Sequence, residues 1–175
     1  MNFIPIATHD LKVNPFDIWD KQWLLLTCGD FKTLNFNSMT VAWGSFGTMW
    51  RRPFAQIVVR PIRYTYEFTN EYSDFTLCTF PDTCRDALTL MGSRSGREVD
   101  KVKAAGLTPI ACEKVNSPAY KEADLIFECR KMYWDDFNPE QFIYPDIENL
   151  YPQKSYHRIY FGEIVNILKN TGNSL

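Results

Sequence analysis

Short strand-like segments that end at turn residues constrain the fold of this chain more than any other feature. Residues 23–28 form an apolar run, and residues 75–80 alternate between apolar and small or polar side chains before Pro81. Residues 54–60 are rich in β-branched side chains and stop at Pro61. Such runs predict strands rather than helices. Similar patterns predict further strands at residues 38–43, 123–134 and 157–168.

The period changes in the middle of the chain. Apolar residues then recur at the spacing of one helix face, at Cys84, Ala87, Leu88 and Met91. Asp82 precedes them as a candidate N-cap. Residues 95–98, with the sequence SGRE, match a capping box and predict a second short helix that Gly106 ends.

Six or seven short strands with two inserted helices predict a mainly β fold, a barrel or a sandwich rather than a parallel α/β sheet. No Gly-x-Gly-x-x-Gly follows a strand, which argues against a Rossmann nucleotide site. The length of 175 residues predicts one domain, residues 1–175. We expect residues 1–13 to form an N-terminal arm, because Pro5 and Pro15 resist regular structure, and residues 170–175 to form a flexible tail.

Composition excludes several classes of protein. The formal net charge is -2, whereas proteins that bind nucleic acids typically carry an excess of positive charge. The five cysteines contain no Cys-x-x-Cys pair, so we expect no disulfide framework and no metal site, but buried thiols in a reducing compartment. The sequence shows no signal-peptide pattern and no apolar stretch that spans a bilayer. We therefore expect a cytoplasmic protein with neither a membrane nor a nucleic acid as partner.

Arg60, Arg63 and Thr65 lie close together at the end of a predicted strand. Two guanidinium groups and a hydroxyl suit a phosphate dianion, which planar forks and hydroxyl donors bind well. The alternative is that the arginines only solvate a turn. Tyr64 fits either a ring neighbour or ordinary strand packing.

Residues 37–44 read as a strand whose main chain is accessible to a flat, polar ring, within a longer stretch that ends at Gly47. The small residues Ala42, Gly44, Ser45 and Gly47 allow a close approach to the backbone. The alternative is a twisted core strand with glycine at a bulge.

The segment Ser93, Arg94, Ser95 and Gly96 precedes the second predicted helix. Free amides, hydroxyls and an arginine at a helix start form a natural anion site, although helix capping explains the same residues. Lys101 is either a second cation for that anion or part of a solvated helix face.

His157 is one of two histidines and begins the last predicted strand. It is a candidate for contact with a nicotinamide or for proton transfer to a reduced flavin. The alternative is a structural hydrogen bond.

Six stretches of the chain, taken in order, resemble the flavin reductase-like family and in particular its flavoredoxin branch. They are NSMTVAWGSFGTMWRRP, RPIRYTYEF, FTLCTFP, SGREVDK, FECRKMYW and YHRIYFGEI. The resemblance covers nearly the whole chain. It implies a Greek-key FMN-binding split β-barrel with inserted helices, working as a homodimer with the flavin near the interface.

The resemblance also implies roles for individual residues. Those lining the isoalloxazine are Asn37, Ser38, Met39 and Thr40. Those at the phosphate are Arg63 and Thr65, with Arg60 and Tyr64 close by. Those on the phosphate side or near the partner subunit are Ser93, Arg94, Ser95, Gly96, Arg97 and Lys101. His157 matches a histidine near the nicotinamide site.

The leading hypothesis from sequence is an FMN-binding, NAD(P)H-dependent flavin reductase-like oxidoreductase, with NADH or NADPH as electron donor. A flavoredoxin-type FMN electron carrier that does not oxidise NAD(P)H directly is one alternative, and a redox protein is then a further partner. The other alternative is a split-barrel binding module that has lost its flavin.

Overall fold

Eight antiparallel strands form one sheet in the computed structural model, which describes residues 3–172. The strands of this sheet are β1 (Phe3–Pro5), β2 (Leu24–Asp30), β3 (Asn35–Val41), β4 (Gly44–Met49), β5 (Arg52–Val59), β6 (Asp74–Thr79), β9 (Leu125–Asp136) and β10 (Arg158–Asn170). Their order is β3-β2-β6-β9-β10-β5-β4, and β1 also pairs with β10. A separate pair consists of β7 (Pro109–Ile110) and β8 (Ala119–Tyr120).

Three α-helices interrupt the strands. They are α1 (Thr65–Glu71) after β5, α2 (Arg85–Ser93) after β6, and α3 (Lys101–Ala104) before β7. Short segments of other helix types lie at Thr8–Asp10, Ile18–Gln22, Asp82–Cys84, Pro139–Gln141 and Pro145–Leu150.

The central strands are buried on both faces, which explains their continuous apolar sequences. In β2, Leu24 and Leu26 belong to one apolar cluster, whereas Leu25 between them belongs to the other. Successive side chains of a strand point to opposite faces, so the run Leu24–Leu25–Leu26 supplies both cores. The first core contains residues from β2, β3, β5, β6, β9 and β10, and the second is closed by Leu88 and Met91 of α2.

The structure confirms the six predicted strands and the first predicted helix, with shifts of one or a few residues at their ends. Two details differ. Residues 37–44 are not one strand, because β3 ends at Val41 and β4 begins at Gly44. Asp82 does not cap α2: it begins a single 3₁₀ turn, and the N-cap residue Cys84 makes no side-chain capping bond.

The predicted capping box at residues 95–98 is wrong as a helix start. Ser95 Oγ accepts from the Arg97 amide at 3.2 Å and so stabilises a turn. The helix begins later, at Lys101, where the Asp100 carboxylate accepts from the Lys103 amide at 3.1 Å. Gly106 follows the helix with φ +67°, as its C-terminal position requires.

Both ends of the domain are more regular than the sequence predicts. Phe3–Pro5 pairs with the end of β10, so part of the expected arm is a strand. Asn170 also belongs to β10 and is buried, with Nδ2 donating to the Ala123 carbonyl at 3.1 Å. Residues 1–2 and 173–175, which include half of the expected tail, lie outside the described residues.

Candidate functional site

A small recess, here called the basic pocket, lies where the start of α1 and the end of α2 approach β3. Its volume is about 180 Å³. Its lining residues are Asn37, Ile62, Arg63, Tyr64, Thr65, Ser93, Arg94, Ser95, Gly96 and Lys101. Three chain segments that are far apart in the sequence therefore supply its polar groups.

Two cations of the basic pocket are anchored by main-chain carbonyls. Arg63 Nη2 donates to the Gly92 carbonyl at 2.6 Å. Lys101 Nζ donates to the carbonyls of Ser38 at 2.7 Å and Met91 at 3.0 Å. Lys101 is only 4% exposed. These contacts hold both cations at the pocket wall while leaving part of their donor capacity unused.

Burial and a neighbouring positive charge disfavour the charged form of both side chains. Burial, and then the Arg63 guanidinium, lower the pKa of Lys101 to about 8. Burial and the charge of Arg60 also lower the pKa of Arg63. Clustered cations in a partly buried site favour the binding of an anion, because an anion replaces lost hydration and offsets the repulsion.

The described residues provide no counter-charge for this cluster. The ion pairs within residues 3–172 are Lys21–Asp17, Arg52–Glu163, Arg97–Glu67 and Arg158–Asp136. Arg60, Arg63 and Lys101 occur in none of them. The alternative, in which the arginines only solvate a turn, does not account for a buried lysine without a carboxylate partner next to Arg63.

Asn37 and Thr65 form the neutral wall of the basic pocket. Asn37 Nδ2 donates to Thr65 Oγ1 at 2.8 Å, and both side chains are buried. Gly96 lies against this pair: a Cβ at position 96 would collide with Asn37 Oδ1 and lie 3.1 Å from the Tyr64 ring. The basic pocket is therefore narrow at this point, and any side chain larger than that of glycine at position 96 would fill it.

Arg97, in contrast, is already neutralised. It pairs with Glu67, and its guanidinium lies 4.6 Å from the Tyr64 ring centroid. Arg97 does not line the basic pocket, so it holds Tyr64 rather than facing the recess.

The side chains of β3 are mostly used within the protein. Ser38 Oγ lies 2.8 Å from Thr27 Oγ1 and 2.6 Å from Tyr120 OH, in a fully buried set of hydroxyls. Met39 belongs to the first core, and Thr40 Oγ1 donates to the Leu88 carbonyl at 2.5 Å. This strand therefore offers a ligand mainly its backbone, together with the exposed edges of Met39 and Thr40.

A second recess, here called the Trp43 pocket, lies further along β3 and has a volume of about 230 Å³. Its lining residues are Met39, Thr40, Val41, Ala42, Trp43, Val58, Arg60 and His157. The Trp43 side chain is 46% exposed, and its ring centroid lies 5.2 Å from that of His157. Arg60 Nη2 donates to the Leu150 carbonyl at 2.8 Å. The pocket thus combines an aromatic wall with two nitrogen-bearing side chains.

His157 is held at the back of the Trp43 pocket. Its Nδ1 lies 2.8 Å from Tyr151 OH, and the side chain is 9% exposed. Burial, and then the charge of Arg60, lower the pKa of His157 to about 4, so the ring is neutral at pH 7. The structural hydrogen bond expected as the alternative role is therefore present, and it leaves Nε2 available.

Comparison with known proteins identifies the family. Residues 23–174 match the model of the flavin reductase like domain. The chain belongs to the flavin reductase-like family. No curated protein is significantly similar to it in sequence.

Solved structures of this fold include flavin-binding proteins. An FMN-binding domain of a flavin reductases-like enzyme from Shewanella baltica OS155 has a TM-score of 0.70 at 13% identity, covering 97% of this chain and 78% of that one. Flavoredoxin of Desulfovibrio vulgaris (Miyazaki F) has a TM-score of 0.68 at 20% identity, covering 89% and 73%. An NADH:FAD oxidoreductase of Streptomyces globisporus C-1027 has a TM-score of 0.66 at 13% identity, covering 87% and 78%. These similarities confirm the predicted mainly β split barrel with inserted helices.

The family-derived site residues fall into three groups in this flavin reductase-like fold. Those at the basic pocket are Asn37, Arg63, Tyr64, Thr65, Ser93, Arg94, Ser95, Gly96 and Lys101. Those at the Trp43 pocket are Met39, Thr40, Arg60 and His157. Ser38 and Arg97 line neither pocket, although the Ser38 carbonyl binds Lys101 and Arg97 supports Tyr64. Their roles toward a flavin remain predictions.

Sequence reasoning missed Trp43 and Tyr151 as site residues. Trp43 lies at the end of a predicted strand, and the sequence does not show that its side chain is exposed beside His157. Tyr151 lies in a proline-rich and acidic connection without periodicity, so no sequence signal marks it. Within the described residues, no three His, Cys, Asp or Glu side chains are placed to hold a metal ion, and no helix is long and apolar enough to cross a membrane.

Proposed function

We propose that this chain binds FMN, with the phosphate in the basic pocket and the isoalloxazine against β3 beside the Trp43 pocket. The observation that carries the proposal is the pair of anchored, unneutralised cations Arg63 and Lys101 beside Gly96. Charged side chains are rarely buried without partners, and the donor set suits a phosphate dianion. Family membership supports a flavin as the group that bears this phosphate.

The two pockets are arranged for a ring joined to a phosphate. Asn37 lines the basic pocket, and residues 39–42 line the Trp43 pocket. A strand rises about 3.3 Å per residue, so the two pockets lie on the order of 10 Å apart along β3. A flexible polar chain between ring and phosphate spans such a distance, and the β3 backbone provides donors and acceptors along the way.

The protein's part in the chemistry is to bind and orient. Bound FMN would supply hydride and electron transfer at its ring. Arg63, Lys101 and Thr65 hold the phosphate, which fixes the ring position along β3. The exposed Trp43 face and the neutral His157 border the region in which a second planar molecule meets that ring.

We further propose that the protein is a flavin-dependent oxidoreductase that accepts electrons from NADH or NADPH. The Trp43 pocket supports this, because it is open beside the proposed ring position and supplies uncharged and cationic donors. One of its structural relatives is described as an NADH:FAD oxidoreductase. The runner-up is an electron carrier that receives electrons from a redox protein, which the structural similarity to a flavoredoxin favours.

The phosphate assignment is tested by comparing FMN with riboflavin, which lacks the phosphate. The double variant Arg63→Ala with Thr65→Ala should weaken FMN binding strongly, since each charge-assisted hydrogen bond contributes about 1.5–3 kcal/mol. Riboflavin binding should change little. Arg130→Ala serves as control, because Arg130 bonds the Lys114 carbonyl away from both pockets. Unchanged FMN affinity in the double variant would refute the assignment.

The electron donor is tested by anaerobic stopped-flow mixing of the FMN-loaded protein with NADH or NADPH. Bleaching of the flavin absorbance by either nucleotide would support the oxidoreductase. A flavin that stays oxidised with both nucleotides, yet is reduced by a protein donor, would support the carrier. A chain that binds no flavin would be the binding module instead.

We also propose that the protein is a homodimer and works in the cytoplasm. The outer edge of β4 has no strand partner within the described residues. Beside it, Met49, Trp50 and Tyr133 are 37%, 56% and 45% exposed, and Trp50 contacts Tyr133 at 6.0 Å between ring centroids. An exposed apolar edge of this kind favours association with a second copy of the chain.

Sedimentation velocity should show a dimer that Trp50→Glu dissociates. A wild-type monomer with full FMN affinity would argue against a flavin site shared between two subunits.

A further inference from the structure

The connection between β9 and β10, residues 137–157, contains one tyrosine that packs deeply against the barrel. Three large apolar side chains of this segment are exposed: Ile143 is 98% exposed, Tyr144 64% and Leu150 50%. Tyr151 is only 3% exposed. Its amide donates to the Glu148 carbonyl at 2.9 Å, and its carbonyl accepts from the Lys154 amide at 2.8 Å. Tyr151 is therefore the buried anchor of the segment.

The ring of Tyr151 is enclosed on several sides. Phe142 stacks on it at 5.9 Å between centroids, and Tyr156 packs at 5.0 Å. The Arg60 guanidinium lies 5.0 Å from its centroid. These contacts fix the direction of the phenol O–H, which meets His157 Nδ1 at 2.8 Å with the two rings at 79° to each other.

The hydrogen-bond inventory decides the direction of this bond. Within the described residues, His157 Nδ1 is the only partner of Tyr151 OH. If Nδ1 carried the hydrogen, the buried phenol proton would have no acceptor, which costs about 1–3 kcal/mol. If Tyr151 donates, both groups are satisfied. The neutral imidazole then carries its own hydrogen on Nε2.

Nε2 is the ring nitrogen of His157 that the Tyr151 hydrogen bond leaves unused. It has no hydrogen-bond partner within residues 3–172, yet it is not among the fully buried atoms without partners, which are Trp19 Nε1 and Ser155 Oγ. His157 lines the Trp43 pocket together with Trp43 and Arg60. The unpaired Nε2 is thus placed to serve a molecule in that pocket.

We propose that Tyr151 is a positioning residue: by donating its phenol proton to Nδ1, it keeps His157 in the tautomer that presents Nε2–H to the Trp43 pocket. Together with Arg60, this N–H forms a two-donor subsite for the carbonyl oxygen of a planar ring that meets the flavin. The tautomer itself does not depend on a flavin, whereas the ring ligand rests on the proposed function. No bond is made or broken by Tyr151, which only sets where the imidazole hydrogen lies.

The direct test is long-range ¹H–¹⁵N correlation NMR of the ¹⁵N-labelled protein at pH 7, which distinguishes ring nitrogens with and without hydrogen. The chain has two histidines, so the variant His9→Gln identifies the signals of His157. We expect a hydrogen on Nε2 and none on Nδ1. A hydrogen on Nδ1, or on both nitrogens, would overturn the proposal. This measurement uses the unmodified site and does not depend on whether a variant folds.

Two matched variants extend the test. Tyr151→Phe removes the phenol and should yield a mixture of both tautomers. Tyr156→Phe removes a neighbouring phenol that bonds Glu148 at 2.7 Å and should leave the His157 signals unchanged. A shift of equal size in both variants would indicate that only general packing was disturbed and would count against the positioning role.

Ligand binding then separates this inference from the proposed function. Nicotinamide is the probe, titrated into FMN-loaded protein. Tyr151→Phe should weaken nicotinamide binding by about three- to tenfold, the effect of one misdirected hydrogen bond, and leave FMN affinity within about twofold. Equal nicotinamide affinities in wild type and Tyr151→Phe would overturn the subsite. Failure of the wild-type chain to bind FMN would refute the proposed function but leave the tautomer result standing.

Discussion

Lys101 Nζ donates to the Ser38 carbonyl across 2.7 Å, so a buried ammonium group on α3 is fixed to the backbone of β3. The same nitrogen reaches the Met91 carbonyl at the end of α2. One cation thereby joins three elements around the basic pocket. Because no carboxylate pairs with Lys101 within the described residues, its charge is left for an external anion.

The pKa of Lys101 predicts a pH dependence of FMN affinity. In the ligand-free protein the pKa is about 8, below its usual 10.5, because of burial and then Arg63. Above about pH 8 binding must first restore the proton, so FMN affinity should fall by up to about tenfold per pH unit between pH 8 and 10. Arginine side chains stay protonated in proteins, so Lys101 is the cation whose charge changes. Fluorescence titrations from pH 7.5 to 10 measure the effect.

Lys101→Met is the control for that dependence. It should weaken FMN binding at pH 7.5 by about ten- to a hundredfold, the loss of one charged hydrogen-bond donor, and flatten the profile above pH 8. Riboflavin binding should show no such profile in either protein. An unchanged slope in Lys101→Met would assign the titration to another group.

Gly96→Ala should close the basic pocket. The new Cβ would collide with Asn37 Oδ1 and crowd Tyr64. Since Asn37 bonds Thr65, relief of the collision displaces the neutral wall as well. We expect FMN affinity to fall by about tenfold or more, that is, by at least about 1.4 kcal/mol. Gly172→Ala, whose Cβ would meet nothing closer than 3.4 Å, is the matched control.

Arg60→Met should raise the pKa of His157 from about 4 toward its usual 6.5. Burial is the larger cause of the lowered pKa and remains, but the charge of Arg60, the second cause, is removed. NMR titration of the His157 ring measures the shift, with Arg130→Met as control. A pKa that stays near 4 would assign the whole effect to burial.

The same pKa also links His157 to stability. In the unfolded chain His157 binds a proton near pH 6.5, whereas in the folded protein it does so only near pH 4. Its contribution to the free energy of unfolding is therefore complete above pH 6.5 and is lost as the pH falls toward 4. In Arg60→Met this loss should be smaller, which urea unfolding at pH 7 and pH 5 would show.

Asp74 should be important for folding and unimportant for the flavin site. Its buried carboxylate accepts from the Ser117 amide at 3.0 Å, from Ser117 Oγ at 2.6 Å and from the Asn116 amide at 3.1 Å. Asp74→Asn introduces a donor opposite donors and should lower the free energy of unfolding by about 2–4 kcal/mol. Urea unfolding measures it, with the exposed Asp146→Asn as control. FMN affinity of the folded variant should not change.

Much of the fold is readable from the sequence because strand periodicity is a local property. The segments at 23–28 and 75–80 correspond to β2 and β6. Their apolar side chains are visible in the sequence because each strand contributes to two cores. Helix α1 could not be predicted this way. Its sequence, TYEFTNE, contains β-branched and aromatic residues that favour strands. Packing of Phe68 and the buried Thr65 and Thr69 decides its conformation, and this tertiary effect overrides the local preference.

The candidate site was only partly predictable. The residue types of Arg63 and Thr65 indicate a phosphate site in the sequence itself. Lys101 lies 36 positions or more further along the chain, so only the folded structure shows that it joins them in the basic pocket. Arg97 looked equivalent to Arg94 in sequence, yet Glu67 across the loop neutralises it. Tyr151 became visible only when its burial and its contact with His157 were known.

The most direct test of the account is a calorimetric titration of the ligand-free protein with FMN and, separately, with riboflavin at pH 7.5. We predict saturation at one FMN per chain and an affinity for riboflavin lower by about a hundredfold or more, because two or more charge-assisted contacts to the phosphate are absent. Equal affinities would contradict the phosphate assignment. No binding of FMN at high micromolar concentration would contradict the proposed function as a whole.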